Sequence, residues 1–287
     1  MGQNLRAYRR KIKATRNIRQ ITRAMKMVAA AKLKRVEAQV AAGRLYYEQL
    51  QGLLARVAGA SGEVEHPLLA EREVKRAALV VVAGEKGLCG GYNSNILRLA
   101  RNYAAQNPGV DVQYVPVGAK ATAFIRRMGL PTLETFPAIT DDGRKEEAAL
   151  LARYIRDIYA NGTVDRVDVA YAEFVSAIRN TPRTIALLPL SGHAEHAETG
   201  GQYIFEPEPE KVLAELLPRA VDAEVYQILL DAAASEQGSR MTAMTSATDN
   251  ADEIIVNLTR DLNRARQAQI TSEILEVVSG ADALAGG

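Results

Sequence analysis

Two stretches that are almost free of helix breakers, one at each end of the chain, constrain the fold most. From about Asn4 to Val57 there is no proline, and from Pro218 to Ser279 the one interior glycine is Gly238. At about 1.5 Å of rise per residue, helices of such length extend roughly 80 to 90 Å, two to three times the diameter of a small domain. One globular core cannot cover them. The chain therefore reads as a structural or mechanical part of an assembly rather than as a self-contained enzyme.

The apolar spacing shows how the ends would be held. Leu33, Val36, Val40, Gly43, Tyr47, Leu50, Leu54 and Val57 follow an unbroken 3-4 alternation, and Ile270, Ile274, Val277, Ala281 and Leu284 repeat it near the other terminus. An antiparallel coiled coil is expected, with two independent amphipathic core helices as the alternative. An earlier series, Ile18, Ile21, Met25 and Val28, is out of register with Leu33 by one residue. The slip predicts a change of partner or of supercoil near Ala29 to Lys32.

From about Lys75 to Leu190 the pattern changes. Ala77 to Val82 is a short apolar run bounded by Gly84, as in a buried parallel strand. A helix from Asn93 to Gln106, capped by Asn93 or Ser94, follows; then a strand over Val110 to Val117, a helix over Ala119 to Met128 ended by Gly129, and a short strand over Leu133 to Phe136. Glu146 to Tyr159 is an amphipathic helix, and Val167 to Phe174 and Thr184 to Leu188 are strands. This alternation gives the expected fold class: an α/β protein with an open, Rossmann-like sheet domain added to a long coiled coil. The expected parts are an N-terminal helix over 1–60, an α/β domain over 75–190 and a C-terminal helix over 207–285. Pro207 and Pro209 would start a short helix that Pro218 ends or kinks.

Charge is distributed unevenly. Twelve Lys and Arg residues, from Arg6 to Arg35, precede the first acidic residue, Glu37. Cations at a helix N-terminus oppose its dipole, so helix stability does not explain them. The candidate partners are nucleic acid and an acidic protein surface, with a solvated basic face as the plainer reading. Nucleic-acid binding is weakened by the single aromatic, Tyr8, and by the lack of a recognition motif. The longest apolar run, Ala77 to Ala83, falls far short of the ~20 residues that span a bilayer, and the N-terminus lacks the apolar core of a signal peptide.

Few residues suggest chemistry. The turn Gly84-Glu85-Lys86-Gly87-Leu88-Cys89-Gly90-Gly91-Tyr92-Asn93 could cradle phosphate, but it matches neither standard phosphate-loop spacing, so tight turning and close packing explain its glycines better. Cys89 has no histidine near it in sequence. His193 and His196 with Glu195 and Glu198 form at best a loose metal-like group, better read as solvated surface. No catalytic, cofactor or metal site is expected.

The last arm contains Ser235-Glu236-Gln237-Gly238-Ser239-Arg240-Met241-Thr242-Ala243-Met244, then Ala247-Thr248-Asp249-Asn250-Ala251, Asn263-Arg264-Ala265-Arg266-Gln267-Ala268 and Ile270-Thr271-Ser272-Glu273-Ile274. With Ile21-Thr22-Arg23-Ala24-Met25-Lys26-Met27-Val28-Ala29 and Gly87-Leu88-Cys89-Gly90-Gly91-Tyr92-Asn93, these segments closely resemble the gamma subunits of F-type ATP synthases. Gly84-Glu85-Lys86 departs mildly, standing where a Ser-Asp-Arg type of sequence is more usual in that family.

The resemblance implies a non-catalytic rotor. Its terminal helices would form an antiparallel coiled coil inside a ring of three alpha and three beta subunits, coupling rotation of a membrane c-ring to the catalytic beta sites. ATP, ADP and Mg would be bound by alpha and beta and none by this chain. An epsilon subunit and the c-ring would be further partners, with no nucleic acid, and the location would be peripheral on the cytoplasmic side of a bacterial plasma membrane. The basic arm would face a carboxylate-rich beta loop. By the same resemblance, partner contacts would fall on Arg9, Arg10, Met25, Lys26, Arg240, Gln267, Thr271 and Glu273. The scarcity of bulky aliphatics from Arg240 to Glu273 suits a surface whose contacts must stay weak and exchangeable.

Overall fold

The structure is a computed structural model that describes residues 2–61, 66–138, 145–190 and 208–285. Its elements are α1 (Gly2–Ser61), β1 (Arg76–Val82), α2 (Tyr92–Gln106), β2 (Asp111–Val117), α3 (Ala119–Met128), α4 (Lys145–Ala160), β3 (Arg166–Ser176), β4 (Arg179–Leu188) and α5 (Pro209–Ala285). The chain divides into two compact units, Ala29–Arg240 and the pair of segments Met1–Val28 and Met241–Gly287. One division point coincides with the register slip after Val28.

In the unit Ala29–Arg240, four strands form one sheet in the order β2-β1-β3-β4. β1 pairs in parallel with both β2 and β3, and β4 runs antiparallel to β3. Because side chains alternate along a strand, β1 feeds two cores. Ala78, Val80 and Val82 face a cluster with Leu151 and Ile155 of α4, Leu54 and Val57 of α1, and Leu217 and Val221 of α5. Leu79, Val81 and Ala83 face Ile96 and Tyr103 of α2 and Ile125 of α3. Burial on both faces is why β1 is a continuous apolar run.

The seam expected on α1 is present. Leu33, Val36, Val40, Leu50, Leu54 and Val57 are buried, and Gly43 and Tyr47 are half-buried. Each fully buried Val or Leu is worth about 1.5 to 3 kcal/mol relative to exposure. Two contacts join this part of α1 to α5: Gly43 lies against Gln227 and Leu230, and Arg44 Nη2 is 3.7 Å from Asp231 Oδ1. A Cβ on Gly43 would come 2.5 Å from Gln227 Oε1, so glycine is what admits the glutamine.

In the unit formed by Met1–Val28 and Met241–Gly287, α1 and α5 run antiparallel. Arg19 pairs with Asp252 at 2.7 Å, and the Thr22 and Thr248 hydroxyls share a 2.8 Å hydrogen bond. A step forward on α1 is thus a step back on α5. Followed outward, this register carries α5 past the start of α1 from about Ile270 onward.

Four local expectations need correction. Ile270, Ile274 and Val277 are exposed, because no part of α1 lies opposite them in that register. Leu133 to Phe136 forms isolated parallel bridges, Tyr114 with Thr132 and Val117 with Phe136, rather than a strand. Gly91, not Asn93 or Ser94, caps α2 and makes no side-chain cap bond; the Asn93 amide is engaged by the preceding loop instead. Pro218 neither ends nor divides a helix. α5 continues through it, supported by burial of Leu217, Ala220 and Val221 on both sides of the lost backbone hydrogen bond.

Candidate functional site

The basic face belongs to the unit Met1–Val28 with Met241–Gly287. Met1–Val28 carries nine Lys and Arg residues and no Asp or Glu, whereas Met241–Gly287 carries three basic and seven acidic residues. Arg9 and Arg10 are exposed, and Met25 and Lys26 are half-buried. Arg9, Lys13 and Arg16 line an open cleft with Ile12, Thr259 and Leu262, so the cations converge around a small apolar floor. Such clustering creates a field suited to an acidic surface.

The seam beneath this face is thin. Ile12, Thr22, Met244 and Ala251 are buried, but Ile254 is exposed and Leu258 and Leu262 are only half-buried. The Arg19 to Asp252 ion pair is substantially exposed, and pairs of that kind contribute about 0 to 1 kcal/mol. Gln267, Thr271 and Glu273 are exposed on α5. The Thr271 hydroxyl donates to the Gln267 carbonyl at 3.0 Å, and Glu273 accepts from Gln269 at 2.7 Å, so both bond within their own helix.

Arg240 belongs to the other unit, at the glycine-rich turn. Its guanidinium pairs with Glu236 one turn back and donates to the Gly87 carbonyl at 3.3 Å. The turn is tied internally as well. Gly84 N–H donates to Asn93 Oδ1 at 2.9 Å, while Asn93 Nδ2 donates to the Lys86 carbonyl at 3.2 Å and to Cys89 Sγ at 3.1 Å. Cys89 is buried, and burial, followed by the Glu236 charge, pushes its thiol pKa up. That is the opposite of what activates a nucleophile. A phosphate reading also fails, since the Glu236 carboxylate sits where a Cβ on Gly84 would meet it at 2.7 Å. A carboxylate against the loop repels an anion.

The structure therefore brings Arg240 together with the glycine turn, a proximity that sequence spacing did not reveal. Within the unit of Met1–Val28 and Met241–Gly287, Arg9 is the one predicted contact residue that lines the cleft. The contacts beside Arg240, of Asn180 with Ser239, of Ala177 with Gly238 and of Glu236 with Gly84, were missed by sequence reasoning. The one available signal was a glycine, Gly238, in the middle of a long helix. His66 accepts from the Leu68 N–H through Nδ1, and burial lowers its pKa. His193, Glu195, His196 and Glu198 lie outside the described residues. Among the described residues, no three His, Cys, Asp or Glu side chains are grouped to hold a metal, and no helix is long and apolar enough to cross a membrane.

Comparison with known proteins gives concordant results. A family described as ATP synthase matches residues 4–284. The ATP synthase gamma chain of Desulfitobacterium hafniense is 46% identical over 276 residues, covering 96% of this chain and 97% of its own length. That of Heliobacterium modesticaldum is 44% identical over 288 residues, covering 98% and 99%. Among solved structures, a chain of the Tetrahymena thermophila mitochondrial ATP synthase central stalk and c-ring is similar with a TM-score of 0.60 at 28% identity, over 79% of this chain and 99% of that one. A chain of the Euglena gracilis mitochondrial ATP synthase shares the fold with a TM-score of 0.69 at 18% identity, over 99% and 95%.

Proposed function

Because this chain belongs to the ATP synthase family as a relative of its gamma chains, we propose that it is the central-stalk rotor of a proton-translocating F-type ATP synthase, coupling rotation of the membrane ring to conformational change at the catalytic beta subunits. The observation that carries this reading is the match over nearly the whole length at 41 to 46% identity to several gamma chains. The physical features agree with it: long antiparallel helices, a thin polar seam and a concentrated basic face. The competing nucleic-acid reading has no support in a chain matched end to end by this family.

Its partners are three alpha and three beta subunits, an epsilon subunit and the c-ring. The chain has no active site of its own. Nucleotides and magnesium are bound by alpha and beta, and the chemistry is theirs. The site is peripheral, on the cytoplasmic side of a bacterial plasma membrane. Arg9 and Arg10 offer exposed charge to an acidic ring surface, Met25 and Lys26 meet a carboxylate-rich beta loop, and Arg240, Gln267, Thr271 and Glu273 meet the surrounding hexamer. Charges in such contacts guide assembly and keep individual interactions weak enough to exchange as the shaft turns.

Reconstitution tests the proposal. Membrane vesicles containing the ring and stator, supplied with alpha, beta and epsilon, should show ATP-driven proton uptake only when this chain is added. Uptake of equal rate without it would overturn the proposal.

A further inference from the structure

Five of the six residues from Ser235 to Arg240 of α5 meet the sheet domain, three by hydrogen bonds and two by close approach. Ser235 Oγ donates to the Ala172 carbonyl of β3 at 2.9 Å. The Glu236 carboxylate lies against Gly84, and Gly238 lies against the Ala177 carbonyl at the tip of the β3 to β4 hairpin. Asn180 Nδ2 of β4 donates to Ser239 Oγ at 2.8 Å, and Arg240 reaches the Gly87 carbonyl. The intervening Gln237 is itself buried.

Successive helical residues are about 100° apart, so these five contacts span roughly 200° of the helix circumference. Apolar packing on one face, as at Leu213 and Leu217, resists separation but allows a helix to roll. Contacts spread over more than half of the circumference, three of them hydrogen bonds, resist rolling. Gly238 points the same way: glycine inside a helix is about 1 kcal/mol worse than alanine, yet a Cβ there would stand 2.7 Å from the Ala177 carbonyl oxygen. Helix propensity is given up for close approach.

We propose that Ser235–Arg240 is a torsional clamp, in which the glycine turn and the β3 to β4 hairpin fix the rotational angle of α5 against the sheet domain, so that torque passes between them without slip. This rests on the rotor reading. Asn180, Glu236 and Ser239 are positioning residues in it, acting through the angle of the helix rather than by touching nucleotide.

The test is a redox toggle in the complete membrane-bound complex. Asn180→Cys, Ser239→Cys and Glu236→Gln are combined; the reduced thiols loosen the clamp, and oxidation to the disulfide closes it again. Protons pumped per ATP hydrolysed are compared in the two states, beside the unvaried complex treated identically. With normal subunit stoichiometry and hydrolysis, the ratio should fall at least about twofold when the thiols are reduced and recover on oxidation, as expected when two of five contacts are removed and one covalent link replaces them. A merely structural role would lower assembly and leave the ratio unchanged. An equal ratio in both states, or arrest of hydrolysis on oxidation, overturns the clamp. Absence of pumping by the unvaried complex overturns the rotor reading itself, and the clamp with it.

Discussion

Asp231 allows a quantitative check on how the two long helices are packed. It is buried on α5 between Arg44 of α1 and Gln227, whose Nε2 donates to Oδ1 at 3.2 Å, with the Glu173 carboxylate also near. Burial is the main cause that raises its pKa from 3.8 to about 6; Arg44 and Gln227 pull it back only partly. The folded state therefore prefers the protonated acid, whereas the unfolded chain ionises near pH 3.8. Stability from this group is fully present below pH 3.8, declines as pH rises through the interval up to about 6, and is flat above it. About two pH units at ~1.4 kcal/mol each give about 3 kcal/mol. Asp231→Asn mimics the protonated form and removes the dependence. Urea unfolding of the full chain should show the variant about 3 kcal/mol more stable, relative to the unvaried chain, at pH 8 than at pH 3.5. A stability difference between the two proteins that does not change with pH would refute the reasoning.

Other expectations follow from burial and charge. Val36→Ala, in the buried seam, should cost about 2 kcal/mol in urea unfolding, while Val28→Ala at an exposed position should cost under about 0.5 kcal/mol; equal costs would contradict the seam. Cys89→Ser should change turnover of the complete complex by less than about twofold, because the thiol is buried and its pKa raised; a tenfold loss with assembly intact would count against this. Reversing Arg9, Arg10, Lys13 and Arg16 together to Glu should weaken assembly far more than any single reversal, since exposed pairs are each worth about 0 to 1 kcal/mol; unchanged coupling in the quadruple variant would dismiss the charged contact. Amides from Met241 to Leu262 should exchange faster in the free chain than those from Leu79 to Ala83 and slow on assembly; equal protection in the free chain would mean that the thin seam supports itself.

Features set by local periodicity were legible in the sequence. The Leu33 to Val57 seam, the two-faced β1 run and the helix over Lys145–Ala160 each follow from side chains repeating at the period of their own element. Ile270, Ile274 and Val277 had the right period too, but period alone does not say whether another helix lies opposite, and none does. Asn93 looked like a cap because its side chain can accept from a backbone N–H; it does accept one, from Gly84 rather than from α2. The hold on Ser235–Arg240 depends on groups 59 to 153 residues away, so no local pattern encodes it. The midhelical glycine was its only trace.

The central claim, that this chain turns inside a ring of alpha and beta subunits, is tested most directly by immobilising the hexamer and following a bead attached to the sheet domain under ATP. A biotinylated cysteine at Ile178, the most exposed large apolar residue among the described residues, gives an attachment point at the hairpin tip. The account predicts unidirectional stepwise rotation that stops when ATP is removed. Steady ATP hydrolysis with the bead stationary would contradict it.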